Sequence, residues 1–183
     1  LYRYFEAVQA VATIPIVVQD HPSESGVNMS AGFIARLNAE LPGAQYLKLE
    51  DPPTPPKVTQ VLALTGDNMA IFGGLGGSFL FEELMRGGSG TMTGFAYPEV
   101  LVALYRLVSA GDIAAARKLF YDWVPYIRYE NQPGIGLSIR KYSMMKRGLM
   151  DSFTTRPPSP SIDGPTREEL DDILSVLPEI PAV

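Results

Sequence analysis

The sequence predicts an α/β fold built on a parallel sheet, and three observations lead to this prediction. Short apolar runs recur four times along the chain, and a segment with helical spacing of its apolar residues follows each run. Segments of ordinary length, rich in glycine and proline, separate them. Beyond residue 109 only helical patterns remain. Alternating strands and helices are typical of a parallel sheet with helices packed outside.

Four strands and eight helices follow from this pattern. The predicted strands are Ile14–Val18, Ala44–Leu49, Met69–Phe72 and Gly90–Phe95. The predicted helices cover residues 3–12, 31–40, 57–64, 79–86, 98–109, 112–129, 133–148 and 165–177. The first strand is β-branched and apolar throughout, which indicates burial on both faces.

Capping and breaking residues set the limits of these elements. Ser30 and Ser78 suit the N-caps of two helices, because a serine hydroxyl accepts a bond from a free N–H of the first turn. Residues 23–29 read as a polar loop. Residues 51–56 contain four prolines, which we expect to exclude both helix and sheet. Residues 151–163 read as an extended linker.

Composition excludes several classes of protein. The 183 residues are 46% hydrophobic and 19% charged, which suits a compact core and not a disordered chain. The net charge is −5 and there is no dense basic block, so we expect no nucleic-acid partner. The apolar runs are too short for a membrane helix, and no signal-peptide pattern is present.

Residue counts also restrict the chemistry. The chain has no cysteine and a single histidine, His21, so we expect no disulfide, no thiolate nucleophile and no metal site. The absence of cysteine fits a reducing compartment, and we expect a cytoplasmic protein. The chain begins with Leu1 in what reads as the middle of an element, which predicts a processed or cut chain.

Lys48 is the first candidate catalytic residue. It lies inside an apolar strand, where lysine is seldom buried without a reason. A desolvated amine has a lowered pKa and can attack a carbonyl to form a Schiff base. The alternative is an edge-strand lysine that points into water, which for a lysine taken alone is the commoner case.

Glu50 strengthens the catalytic interpretation. Strand side chains repeat every two residues, so Lys48 and Glu50 point to the same side if the strand reaches residue 50. An amine and a carboxylate at the carboxyl end of a strand make an imine-forming group and a proton carrier. The alternatives are a salt bridge or a Glu50 turned outward. Asp51 precedes a proline, and we expect it to serve the loop.

Other polar groups and glycines follow the strands. Gln19 could bind substrate, whereas we expect His21 to be a loop histidine satisfied by local polar groups rather than a base. Gly74 and Gly76 let the main chain approach a ligand closely, although the run matches no dinucleotide or phosphate-loop motif. The hydroxyls of Thr91 and Thr93 could hold a substrate oxygen; ordinary packing and turn chemistry are the alternative for each.

Aromatic residues recur at helical spacing in the C-terminal region. They are Tyr121, Trp123, Tyr126 and Tyr129. Such a stripe predicts a helix–helix core or a subunit contact, not a cofactor site.

Six motifs follow one another over about residues 1–148: IPIVVQDHP, SGVNMS, YLKLED, AIFGGLGG, GTMTGFAYPEV and AGDIAAARKLF. Their order resembles the C-terminal part of the dihydrodipicolinate synthase / N-acetylneuraminate lyase family. The resemblance implies a (β/α)8 TIM barrel with a C-terminal helical extension, usually tetrameric. It also implies a Schiff base between a 2-oxo acid and the lysine of the sixth strand, which Lys48 matches.

Two departures from the family pattern indicate a branch. The proton-shuttling tyrosine that commonly follows the fifth strand is absent, because this segment reads Gln19-Asp20-His21-Pro22. The glutamate two residues after the lysine, Glu50, is usually lacking in synthases and lyases. The combination resembles the 2-keto-3-deoxy sugar acid dehydratases, in particular those for L-2-keto-3-deoxyarabonate, where this glutamate is the acid/base. No cofactor is needed for that reaction.

A full barrel of this kind needs roughly 250 residues, so four βα units correspond to about half of one. We therefore expect residues 1–110 to be strands five to eight of the barrel, 111–150 the helical extension, and 151–183 a linker and terminal helix. The missing strands, and the substrate-carboxylate motif, would lie upstream of Leu1. A small open sheet is the alternative. The rival functions are a pyruvate-dependent aldolase or synthase on the same imine, and a non-catalytic binding protein.

Overall fold

The computed structural model describes residues 1–182 and contains a four-stranded parallel sheet in the order β1-β2-β3-β4. The strands are β1 (Val17–Asp20), β2 (Tyr46–Leu49), β3 (Ala70–Gly73) and β4 (Gly90–Thr91). The helices are α1 (Tyr2–Val11), α2 (Pro22–Ser25), α3 (Ala31–Glu40), α4 (Thr54–Thr65), α5 (Leu80–Met85), α6 (Pro98–Ser109), α7 (Ile113–Glu130), α8 (Gly136–Lys146) and α9 (Gly164–Ser175). The predicted α/β class with parallel strands is confirmed.

The chain forms two compact units. One comprises Leu1–Leu75 and Phe79–Met92 and holds the whole sheet. The other comprises Gly76–Ser78 and the residues from Thr93 onward, including α6 to α9.

The core of the first unit lies between one face of the sheet and helices α3 and α4. Alternate strand residues point to this face, where Leu47 and Leu49 of β2 are fully buried. They belong to one apolar cluster with Ile34 of α3 and Val61 of α4. The opposite face carries the intervening strand residues, which are more exposed, and it is on this face that Lys48 lies.

The first strand corrects the sequence prediction. It begins at Val17, three residues later than expected, and Ile14 is 75% exposed. Pro15 has no N–H for the ladder, and pairing with β2 begins at the Val17–Tyr46 register. Val18 is buried and Val17 is 43% exposed, so within this chain the strand is buried on one face only.

Helix α4 corrects a second prediction. It begins at Thr54, inside the proline-rich segment, because Pro55 and Pro56 occupy the first turn. The N–H groups of a first turn have no partner within the helix, so proline is tolerated there.

Smaller differences concern the ends of elements. Ser30 caps α3 as predicted, accepting a bond from the N–H of Phe33. Phe79, not Ser78, occupies the N-cap position of α5. The strand predicted over 90–95 pairs only at Gly90–Thr91, and α2 forms within the predicted loop 23–29.

The second unit is built on buried aromatic rings. Trp123 and Tyr126 of α7 are completely buried and pack against Tyr97, with ring centroids 4.8 and 4.9 Å from it. Tyr129 is also buried, and its hydroxyl donates to Glu169 of α9. The predicted helix–helix core is confirmed for these residues, whereas Tyr121 is 54% exposed. Among residues 1–182, no helix combines the length and apolar character needed to span a membrane.

Candidate active site

Lys48 and Glu50 form an ion pair at the carboxyl end of β2. Lys48 Nζ lies 3.1 Å from Glu50 Oε2, so both side chains are on one side of the sheet, as the two-residue spacing predicts. Strand β2 lies between β1 and β3, so Lys48 is not an edge-strand lysine. Its side chain is 24% exposed, which leaves the amine reachable.

Two further groups of the first unit hold the carboxylate of Glu50, and a third holds its main chain. Gln19 Nε2 donates to Oε2 at 2.7 Å, and the N–H of Leu75 donates to Oε1 at 3.3 Å. The main-chain N–H of Glu50 donates to the carbonyl of Asp20 at 2.8 Å, which continues the β1–β2 pairing one residue beyond the strand. These bonds fix both the main chain and the side chain of Glu50.

Burial and hydrogen bonding oppose each other at Glu50. Burial raises the pKa of its carboxyl, but the bonds from Gln19, Lys48 and the Leu75 N–H together outweigh burial and leave the pKa lowered. The position of Glu50 at the end of an apolar strand predicts a raised pKa, and for this carboxyl that prediction is wrong. Its surroundings are rich in donors, so Glu50 is ionised near neutral pH.

His21 lies beside the same carboxylate. Its Nδ1 is 3.6 Å from Glu50 Oε2, and its side chain is one quarter exposed. This distance is longer than a hydrogen bond but places the imidazole in the site. His21 is a loop residue, as expected, but the polar group that its side chain approaches is Glu50 and not a group of its own loop.

A second group of charges lies behind the site and was missed by the sequence reading. Lys57 Nζ lies 2.6 Å from Asp20 Oδ2 and 2.6 Å from Asp51 Oδ2. Asp20 is fully buried, and burial raises its pKa despite the opposing effect of Lys57. A charged residue directly after an apolar run, as Asp20 is, was the available signal. Asp51 lies in the loop after β2, as expected, and its carboxylate pairs with Lys57.

The remaining predicted site residues have local partners. The main chain at Gly74 passes against Glu50, and a β-carbon there would lie 2.3 Å from Glu50 Oε1, so the missing side chain makes room for a carboxylate of the protein itself. Thr91 Oγ1 is buried and has no hydrogen-bond partner among the described residues. In the second unit, the N–H of Gly76 donates to Thr93 Oγ1 at 2.9 Å.

The structure thus brings together four of the predicted residues in the first unit: Lys48, Glu50, Gln19 and Gly74. Among residues 1–182, no three Asp, Glu or His side chains converge as metal ligands would. The arrangement offers a reachable amine, an adjacent ionised carboxylate and a donor amide, which is a set of groups for carbonyl and proton-transfer chemistry.

Comparison with known proteins identifies relatives over most of the chain. A family model described as the dihydrodipicolinate synthetase family matches residues 1–177. L-2-keto-3-deoxyarabonate dehydratase of Azospirillum brasilense is 32% identical over 173 residues, which is 93% of this chain and 55% of that protein. 4-Hydroxy-tetrahydrodipicolinate synthase of Syntrophobacter fumaroxidans is 32% identical over 139 residues, covering 73% of this chain and 46% of that protein.

A solved structure shares the fold. The crystal structure of dihydrodipicolinate synthase from Rhodopseudomonas palustris superposes with a TM-score of 0.89 at 38% identity, covering 96% of this chain and 60% of that one. The chain therefore spans about half the length of the curated relatives it matches.

Proposed function

The chain belongs to the dihydrodipicolinate synthetase family, and we propose that it is the part of a lyase that forms a Schiff base with a 2-oxo acid. The reaction we favour is dehydration of a 2-keto-3-deoxy sugar acid such as L-2-keto-3-deoxyarabonate. The observation that carries this proposal is the Lys48–Glu50 pair, with 3.1 Å between Nζ and Oε2. The amine and the carboxylate that this reaction needs stand side by side.

The first step is attack of Lys48 on the C2 carbonyl. The ammonium of Lys48, which is 24% exposed, loses a proton to solvent, and the free amine adds to C2. The carbonyl oxygen then leaves as water, with one proton from the amine nitrogen and one from solvent, and an iminium remains. The iminium draws electrons from C3 and so acidifies its protons.

The second step is elimination. Glu50, ionised because its hydrogen bonds lower its pKa, removes a proton from C3 to give an enamine. The same carboxylic acid then protonates the C4 hydroxyl, which leaves as water while the C3–C4 double bond forms. Gln19 keeps the carboxylate in place through its bond to Oε2. Water hydrolyses the iminium of the product and frees Lys48.

The dehydratase from Azospirillum brasilense supports this choice, since it is similar over 93% of the chain. A second candidate, condensation or aldol cleavage on the same imine, is supported by the relatives named as synthases. That chemistry needs a proton carrier at the C4 hydroxyl or aldehyde, a role that a tyrosine has in the family and that this chain lacks after β1.

We further propose that the four strands are the second half of a (β/α)8 barrel, with residues 111–150 as a helical extension and 151–183 as a linker and terminal helix. The 60% coverage of the solved synthase and the two edge strands of the sheet support this arrangement. Assembly into a homo-oligomer and a cytoplasmic location belong to the same proposal and stay predictions.

Reduction of the imine tests the function. The protein is incubated with pyruvate, or with L-2-keto-3-deoxyarabonate, and treated with borohydride, and the adduct is located by peptide mass. We expect pyruvate to add its mass, less water and plus two hydrogens, at Lys48. A product of the sugar acid that retains every carbon supports the dehydratase, whereas released pyruvate supports the aldolase. Failure of any 2-oxo acid to add mass would favour a non-catalytic binding protein.

A further inference from the structure

Lys57 completes a ring of contacts behind the candidate catalytic carboxylate. Its ammonium lies 2.6 Å from Asp20 Oδ2 and 2.6 Å from Asp51 Oδ2, and it donates to the Met29 carbonyl at 2.6 Å. Only 11% of its side chain is exposed. Burial lowers the pKa of Lys57, but its two carboxylates outweigh burial and raise the pKa, so the ammonium is fully charged near neutral pH.

The two aspartates that Lys57 joins are the neighbours of the two residues that meet in the site. Asp20 follows Gln19 on β1, and successive strand residues point to opposite faces of a sheet. Asp51 follows Glu50 after β2. On the site side, Gln19 donates to Glu50 at 2.7 Å. On the opposite side, Lys57 holds the ends of the same two segments together.

The main chain closes the ring. The N–H of Glu50 donates to the Asp20 carbonyl at 2.8 Å, so the residue whose side chain binds Lys57 also holds the backbone of Glu50. A shift of the loop at Asp51 therefore moves Glu50 directly, and a shift of Asp20 moves Gln19. Proton transfer depends on this geometry, because displacement by about 1 Å can cost on the order of a hundredfold in rate.

We propose that Lys57 is a positioning residue, which acts through Asp20 and Asp51 to fix the Gln19–Glu50 contact and so aim the Glu50 carboxylate. The effect of Lys57 on the reaction rate rests on the proposed function, whereas its effect on the Gln19–Glu50 contact does not. The alternative is an ion-pair cluster that stabilises the fold without affecting the carboxylate.

The experiment breaks one contact of Lys57 at a time in the complete protein. Lys57→Met strands the buried charge of Asp20 and can prevent folding. Asp51→Asn is therefore the main variant, since it leaves the Asp20–Lys57 pair intact and Asp51 is partly exposed. The matched control is Asp122→Asn, which breaks an exposed pair of the same length, 2.6 Å, with Lys118 on α7.

Two rates with pyruvate as the probe separate positioning from folding. Imine trapping by borohydride reports on Lys48, and exchange of the methyl protons with deuterated water reports on proton transfer. In Asp51→Asn we expect exchange to fall about tenfold while trapping stays within about twofold. In Asp122→Asn we expect both rates to be unchanged. Exchange that is unaffected in Asp51→Asn, or that falls only in parallel with trapping, would overturn the inference.

A titration of the Glu50 carboxyl, by carbon NMR on labelled protein, gives a reading that needs no catalysis. Removing the negative charge of Asp51 would by itself lower the pKa of Glu50, whereas loss of the Gln19 bond raises it. A raised pKa in Asp51→Asn supports positioning, and an unchanged or lowered pKa overturns it. If the wild-type protein fails to trap pyruvate, the proposed function fails and this titration alone decides the role of Lys57.

Discussion

Thr54 and Glu83 form a buried hydrogen bond in which the threonine hydroxyl donates to Glu83 Oε1 at 2.5 Å. Both side chains are almost fully buried. Glu83 Oε2 faces Gly73 so closely that a β-carbon at position 73 would lie 1.8 Å from it. Burial, against the opposing bond from Thr54, raises the pKa of Glu83 to about 7.

This carboxyl makes the stability of the protein depend on pH. The folded protein holds the proton of Glu83 more tightly than the unfolded chain does, so its contribution is full below the ordinary pKa of 4.5 and is lost as the pH rises to about 7. The shift corresponds to about 3 kcal/mol, at about 1.4 kcal/mol per unit. In Glu83→Gln we expect this part of the pH dependence to vanish.

Urea unfolding at pH 5 and pH 8 measures the effect. The free energy of unfolding of Glu83→Gln, taken relative to wild type, should rise by about 2.5 kcal/mol from the lower to the higher pH, because part of the contribution is already lost at pH 5. A difference that does not change with pH would mean that Glu83 titrates near its ordinary pKa.

Lys48→Ala tests the nucleophile. Without the amine no Schiff base can form, so borohydride trapping of pyruvate and turnover should both disappear, while the circular dichroism spectrum stays that of wild type. Lys57→Ala is no substitute as a control, because Lys57 pairs with buried Asp20. Arg36→Ala, which removes an exposed pair with Glu40 and a contact with the Tyr2 ring, should trap normally. Persistent trapping at another lysine would refute the assignment of Lys48.

Glu50→Gln tests the proton carrier. The amide keeps the shape of the side chain but cannot accept a proton, so imine trapping should persist while dehydration slows by at least about a hundredfold, the low end for acid/base catalysis. Single-turnover measurements separate the two steps. Dehydration at nearly the wild-type rate would make Glu50 a structural partner of Lys48.

Gly74→Ala tests the space that the glycine leaves for the carboxylate. An alanine β-carbon would lie 2.3 Å from Glu50 Oε1 and must displace it. We expect dehydration to slow by about a hundredfold, since a displacement of about 1 Å is enough for that. The control is Gly32→Ala on α3, where no atom lies within 4 Å of the added carbon. Equal rates in the two variants would show that Glu50 tolerates the shift.

His21→Asn measures how far the imidazole contributes. Its 3.6 Å distance from Glu50 Oε2 is longer than a hydrogen bond, so we expect a loss of less than about tenfold in turnover, smaller than that of Glu50→Gln. The pH profile of kcat is the measurement. A loss as large as that of Glu50→Gln would make His21 a second proton carrier.

Much of the fold could be predicted from the sequence, because it depends on local periodicity. The helical spacing over 31–40 and 98–109 gave two helices with their observed bounds, and four apolar runs gave four parallel strands. The pairing of Lys48 with Glu50 was predictable for the same reason, since strand side chains alternate whatever surrounds them.

Contacts between distant segments could not be predicted in this way. The start of β1 at Val17 was set by its register with Tyr46, and the two-residue β4 by its pairing with β3. The lowered pKa of Glu50 depends on Gln19, which lies 31 residues away, and the charge of buried Asp20 is balanced by Lys57 on α4. The sequence by itself determined which residues share a face of an element, because that follows from backbone geometry. Only the tertiary structure decided which charges and donors meet, because side-chain electrostatics depend on distances across the sheet.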